Sequence, residues 1–159
     1  MRITLIYVGT TSEKFYTEAC LEYEKRLSAF TAFQSVCIKE ERINDEATPA
    51  VVAKALSAEE QRIRTAIPKG AYTVTMCIEG KQLTSEKLAQ RINSLASSGT
   101  SSIAFIIGSS HGISDALKKD SDMHLSMSEM TFPHMLARVM LTEQLYRAFT
   151  IIGGKKYHK

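Results

Sequence analysis

Between Pro133 and Gly153 the sequence PHMLARVMLTEQLYRAFTIIG reads as one long helix whose apolar residues do not keep to a single stripe. Proline suits the first helical turn, where its missing N–H would be unpaired in any case, and Gly153-Gly154 is a strong stop. Leu136 and Met140 fall on one side, Leu141, Leu145 and Ile152 on another, and Val139 and Tyr146 on a third. A helix apolar nearly all round needs cover nearly all round. Two arrangements meet that need: a central core helix within one subunit, or a helix shared with a second subunit. The pattern alone does not separate them.

The rest of the chain alternates strands with helices. Ile3 to Val8 is almost continuously apolar, as in a parallel strand buried on both faces, and Gly9 ends it. Ser12 is placed to cap a helix with Phe15, Ala19, Tyr23 and Leu27 at four-residue spacing. A strand over Phe33–Lys39, a polar turn from Glu40 to Thr48 and a helix from Pro49 to Ile67 follow. Tyr72–Ile78 is a third strand, and Thr84 or Ser85 caps a helix with Leu88, Ile92 and Leu95 on one face. Ile103–Ile107 is the most apolar strand. It leads through Gly108-Ser109-Ser110-His111-Gly112 to a short helix from Ser114 to Lys119 and a strand over Met123–Met127. Five strands alternating with five helices predict an α/β fold with a mostly parallel sheet and helices on both faces. With 159 residues, one domain spanning 1–159 is the simplest division.

Several functions are disfavoured. No apolar run approaches the roughly 20 residues of a membrane helix, and no cleavage site follows the first strand, so a cytoplasmic protein with no membrane partner is expected. Cys20, Cys37 and Cys77 form no paired motif and the histidines lack ligand spacing, so no metal site is expected. Neither G-x-G-x-x-G nor G-x-x-x-x-G-K-[ST] occurs, and no serine sits in a G-x-S-x-G elbow. Gly9, Gly80 and Gly108 stand at or just past strand ends, which favours a ligand site at the carboxyl edge of the sheet. The formal charge of +3 is accounted for by Lys155, Lys156 and Lys159, since residues 151–159 contain no acid. With Tyr157 and His158 between them, such a tail can pair charge with phosphate and a ring with a base; a solvated terminus would read the same way.

Beyond this the residues resemble a known family. Ile78-Glu79-Gly80-Lys81 with Thr84-Ser85-Glu86, then Phe105-Ile106-Ile107-Gly108, then Leu125-Ser126-Met127-Ser128-Glu129-Met130-Thr131-Phe132-Pro133-His134 are its most specific segments. Ala137-Arg138-Val139, Glu143-Gln144-Leu145-Tyr146-Arg147-Ala148 and the ending Tyr157-His158-Lys159 complete the set, with Glu22-Tyr23 and Lys25-Arg26 near the start. Together they resemble the RlmH family of SPOUT-class methyltransferases, which modify a pseudouridine of large-subunit ribosomal RNA at N3.

The resemblance implies a SPOUT-type fold with a C-terminal trefoil knot, S-adenosylmethionine held in the knotted loops, and a homodimer that completes the RNA site. The implied cofactor residues are Met76, Gly108, Met127, Ser128, Glu129, Met130, Thr131 and Phe132. The implied catalytic residues are His158 as proton acceptor or orienter, Tyr157 stacking on the base, and Arg147 holding phosphate or an anion. Lys155, Lys156 and Lys159 would contact RNA, within the large ribosomal subunit or the whole ribosome. Arg147 also lies four residues after Glu143, the favourable order for an ordinary helix ion pair. The family has Gly-Gly after the fourth strand where this chain has Gly108-Ser109, so a side chain there is expected to crowd the cofactor or demand another turn. His134-Met135 stands where His-Gln is commoner. A non-catalytic ribosome-binding protein of the same fold and a transfer-RNA methyltransferase remain as alternatives.

Overall fold

The computed structural model describes residues 1–157. Its strands are β1 (Arg2–Val8), β2 (Ala32–Ile38), β3 (Tyr72–Gln82), β4 (Ser102–Ile107) and β5 (Met123–Ser126). They form one sheet in the order β2-β1-β4-β3-β5, and every neighbouring pair is parallel. Between and after them run α1 (Lys14–Leu27), α2 (Pro49–Ala66), α3 (Ser85–Ser97), α4 (Asp115–Asp120) and α5 (His134–Ile152).

Period-two alternation sends side chains to two cores. Ile3 and Leu5 of β1 and Ile103, Phe105 and Ile107 of β4 pack with Leu27, Leu88, Ile92, Leu141, Leu145 and Ala148, so α1, α3 and α5 cover one face. Ile6 and Val8 with Ala104 and Ile106 pack against Ile63 and Leu117, so α2 and α4 cover the other. β4 occupies the middle of the sheet, and each of its residues from Ile103 to Ile107 is buried, as a continuous apolar run requires. Thr84 and Ser114 cap α3 and α4 by accepting the backbone N–H groups of Lys87 and Leu117.

The long α5 packs against both α1 and α3. Among its described residues only Ile152 is classed as exposed, so most of the cover its sequence demands comes from within the chain. Leu136, Val139 and Met140 remain half-buried. Among the described residues the one buried guanidinium belongs to Arg138, 8% exposed, which donates to Glu24 Oε1 of α1 at 3.0 Å and lies 3.9 Å from the Tyr7 ring centroid on β1.

Three local expectations need correction. Ser12 does not cap α1: Glu13 holds that position, and its backbone N–H donates to Thr11 Oγ1 at 3.1 Å, so the neighbouring hydroxyl makes the turn. Phe15 is 59% exposed and pairs with the Tyr16 ring at 4.3 Å instead of joining the core, which α1 reaches through Cys20 and Leu27. β3 runs on past Ile78 to Gln82. Both Met76 and Lys81 have Leu125 of β5 as register partner, so the strand's last residues bend around β5. Gly80 makes that bend possible, because a Cβ there would lie 2.7 Å from the Leu125 carbonyl carbon.

Candidate active site

The carboxyl ends of β3, β4 and β5 enclose a cleft of about 620 Å³, within the range of small-molecule sites. Its walls are largely apolar: Met76 and Ile78 from β3, Ile107 before the β4 turn, Met127 after β5, and Phe132 and Pro133 before α5. Hydroxyls of Ser126, Ser128 and Thr131 add polar groups along one side. Ser126 Oγ donates to the Ser128 carbonyl at 2.9 Å, and the Met130 N–H donates to Ser128 Oγ at 3.0 Å, so side chains of the turn hold its own backbone. Cys77 also lines the cleft; burial pushes its thiol above the ordinary range, which makes it a neutral wall.

Gly108 is the tightest point. A Cβ on it would stand 2.1 Å from the Gly112 carbonyl oxygen and 2.5 Å from its carbon, so no side chain fits. The turn closes when the Gly112 N–H donates to the Ser109 carbonyl at 2.9 Å. Ser109 lies along the cleft, but its hydroxyl is engaged by α2. Ser109 Oγ donates to Glu59 Oε2 of α2 at 2.9 Å, on the sheet face that α2 covers.

The expected cofactor residues Met76, Gly108, Met127, Ser128, Met130, Thr131 and Phe132 all line this cleft. Glu129 sits on the same turn, exposed and outside the lining. His134, which was not among the expected cofactor residues, lines the cleft too; its Nε2 is buried without a hydrogen-bond partner among the described residues. Its place directly after the Met127–Pro133 turn was the available signal. A histidine in a helix's first turn projects back toward the preceding loop.

The tail residues gather elsewhere. Arg147 Nη2 donates to Glu143 Oε1 at 2.5 Å, the i,i+4 pair that its spacing allows, and its guanidinium lies 4.7 Å from the Tyr157 ring centroid. The Tyr157 hydroxyl donates to Glu143 Oε1 at 3.1 Å, and its ring meets Tyr146 edge-on at 4.7 Å. Lys155 Nζ sits 4.5 Å from the Phe30 ring centroid, while Lys156 is exposed. His158 and Lys159 lie outside the described residues. A second cleft of about 360 Å³ is lined by Tyr23, Glu143 and Gln144 and shares Leu125, Ser126 and Met127 with the first.

Burial, and then the Glu143 carboxylate, push the Tyr157 phenol from 10.0 up to about 12. The neutral phenol is the form favoured in the docked tail. Docking is therefore fully stabilising below pH 10.0 and is lost as pH rises through about 12. Ultraviolet titration should show a late-ionising tyrosine that Tyr157→Phe removes. An unchanged titration curve in that variant would mean the phenol is not held as described.

Among the described residues no group of three or more His, Cys, Asp or Glu could hold a metal ion, and no helix is long and apolar enough to cross a membrane. The fold is shared with solved structures described as methylases. A probable methylase family protein from Haemophilus influenzae superposes with a TM-score of 0.57 at 12% identity, covering 99% of this chain and 70% of that one. A probable methyltransferase from Bordetella pertussis gives 0.56 at 13% identity, covering 93% and 96%.

Sequence comparison is narrower. The model of predicted SPOUT methyltransferases matches residues 1–158, and the chain belongs to that family. Its methyl donor is S-adenosylmethionine. The ribosomal RNA large subunit methyltransferase H of Bifidobacterium adolescentis is 45% identical over 159 residues, all of both chains. A putative ribosomal RNA large subunit methyltransferase H of Methanococcus maripaludis is 43% identical over the same full length.

Proposed function

We propose that this chain, as a single methyltransferase domain over residues 1–159 and as a cytoplasmic homodimer, transfers a methyl group from S-adenosylmethionine to N3 of a pseudouridine in 23S ribosomal RNA, on the assembled ribosome. The observation that carries this reading is the glycine-bordered apolar cleft at the carboxyl ends of β3, β4 and β5, which shares Ser126 and Met127 with a second cleft bordered by Glu143, the carboxylate that holds Tyr157 and Arg147. The names of the full-length relatives supply the substrate class.

The donor supplies an electrophilic methyl on a sulfonium, so the protein's contribution is to position, to exclude water and to handle a proton. Met76, Met127 and Phe132 would cover the adenine ring, and bare Gly108 would let the chain approach the ribose. Ser128 and Thr131 would offer hydroxyls, and Glu129 and Met130 complete the turn that holds them. This set fits the donor: largely apolar walls, a few hydroxyls, and a turn packed so closely at Gly108 that only glycine can stand there.

On the RNA side Tyr157 would stack on the base, and His158 would accept or steer the N3 proton. Arg147 would hold phosphate or the developing anion by exchanging part of its Glu143 pairing for the ligand, with Lys155, Lys156 and Lys159 along the backbone. The half-buried Leu136, Val139 and Met140 of α5 and the exposed Ile78 and Met130 beside the cleft, at 52% and 70%, favour a partner chain there. The trefoil knot rests on the family alone.

Methyl transfer measured side by side on assembled ribosomes, free ribosomal RNA and transfer RNA tests the reading. Incorporation into 23S RNA of ribosomes is expected, with little into the other two. Preference for transfer RNA would overturn the substrate assignment, and donor binding without transfer to any RNA would favour a binding protein. Tyr157→Ala with His158→Ala should cut transfer by about 100-fold or more, the scale of general acid–base and positioning effects, with donor affinity kept. Full activity in that double variant would remove the tail from the mechanism.

A further inference from the structure

We propose that Glu59 and Glu60 of α2 form a strap that fixes the Gly108–Ser114 turn and so sets the affinity for the methyl donor; the inference rests on the donor reading given above. Glu59 is 3% exposed, an unusual place for a carboxyl group in a helix whose sequence reads as a surface element. Such a group persists only where its oxygens are satisfied. Oε2 accepts from the Ser109 hydroxyl and Oε1 from the Glu41 backbone N–H, each at 2.9 Å. The next residue repeats the device. Glu60 Oε2 accepts from the Ser114 hydroxyl at 2.5 Å, and its Oε1 accepts from Arg64 Nε at 2.8 Å.

Ser109 and Ser114 stand at the two ends of the turn that walls the cleft, so consecutive residues of one helix hold both ends. Within the turn the backbone has no slack. Gly108 lies against the Gly112 carbonyl with no room for a Cβ, and Ser109 and Gly112 are bridged to each other. Any shift of Ser109 is therefore passed to Gly108, which borders the donor site. Releasing the serine lets the turn sample positions that do not admit the donor, and apparent affinity falls in proportion to the competent fraction. Glu59 and Glu60 touch no ligand in this scheme; they are positioning residues.

The test compares the unaltered chain with Ser109→Ala, Glu59→Ala, their combination and Glu59→Gln. The readouts are KM and kcat for S-adenosylmethionine at saturating ribosomes, donor affinity by calorimetry, and Tm. Ser109→Ala and Glu59→Ala are expected to raise KM and Kd about tenfold with kcat within about twofold, and the double variant should be no worse than either alone. Glu59→Gln should stay within about twofold. Its amide oxygen can accept from the Glu41 N–H while its NH2 donates to the Ser109 hydroxyl, whose own hydrogen rotates away.

Donor affinity unchanged in Ser109→Ala and Glu59→Ala would overturn the proposal, as would a fall in Tm and kcat with donor KM unmoved. Should Glu59→Ala not fold, Ser109→Ala decides alone, since it removes a single hydroxyl. An unaltered chain that binds no donor would instead sink the donor reading itself, and the strap with it.

Discussion

Gly108→Ala is expected to weaken S-adenosylmethionine binding by about 10- to 100-fold while leaving the chain folded, because overpacking at a closed site costs about 1–3 kcal/mol and here falls on the ligand-bearing turn. The added Cβ would meet the Gly112 carbonyl oxygen at 2.1 Å and Ile113 Cγ1 at 2.7 Å. Backbone cannot yield as a flexible side-chain end can, so the turn must move as a unit. The β4 strand ahead of it is buried on both sides and should keep its place, which confines the damage to the cleft. Gly70→Ala is the useful comparison. That position has a φ of +72° but nothing within 4 Å, so it should cost about 1–2 kcal/mol of stability and leave donor binding alone. Calorimetry on both variants separates a displaced turn from general destabilisation. Equal donor affinities for Gly108→Ala and the unaltered chain would remove Gly108 from the site.

The second large effect is expected at Arg138. Its ion pair with Glu24 has side chains only 10% and 17% exposed, and the guanidinium lies over the Tyr7 ring, so this one side chain joins α5, α1 and β1. Arg138→Ala leaves Glu24 partly buried without its cation. Breaking a buried pair in this way costs about 3–5 kcal/mol, or roughly 10 °C in Tm for a chain of this size. Arg138→Met combined with Glu24→Gln removes the stranded charge and should recover much of the loss, since an apolar replacement of similar volume often costs little. Thermal unfolding of the three chains checks this. A double variant as unstable as Arg138→Ala would point to lost packing on Tyr7 as the cause.

Legibility in the sequence follows how local each feature is. The run Ile103–Ile107 announced a central buried strand, and Thr84 and Ser114 announced helix starts, because strand burial and capping are written in adjacent residues. Gly108 stood out by its place after β4, the Met127–Phe132 turn was found through the family resemblance, and the fold brings them to one cleft. The bend of β3 around β5 was not legible, since it depends on where Leu125 arrives from elsewhere in the chain. Glu59 reads as one more surface acid in a helix rich in Ala, Glu, Gln and Arg; only the packed turn shows what its carboxylate holds. The partner of the Ser109 hydroxyl was hidden for the same reason, since Glu59 is distant in the sequence. The spread of apolar residues around α5 was correctly taken to demand cover, and of the two sources left open α1 and α3 of the same chain supply most of it.

A crystal of this protein soaked with S-adenosylmethionine tests the reading most directly. The donor is expected between Gly108 and the Met127–Phe132 turn, its adenine against Met76 and Phe132 and its methyl toward the second cleft and the tail. Density for the donor at any other edge of the sheet, in a protein shown to be active, would contradict it.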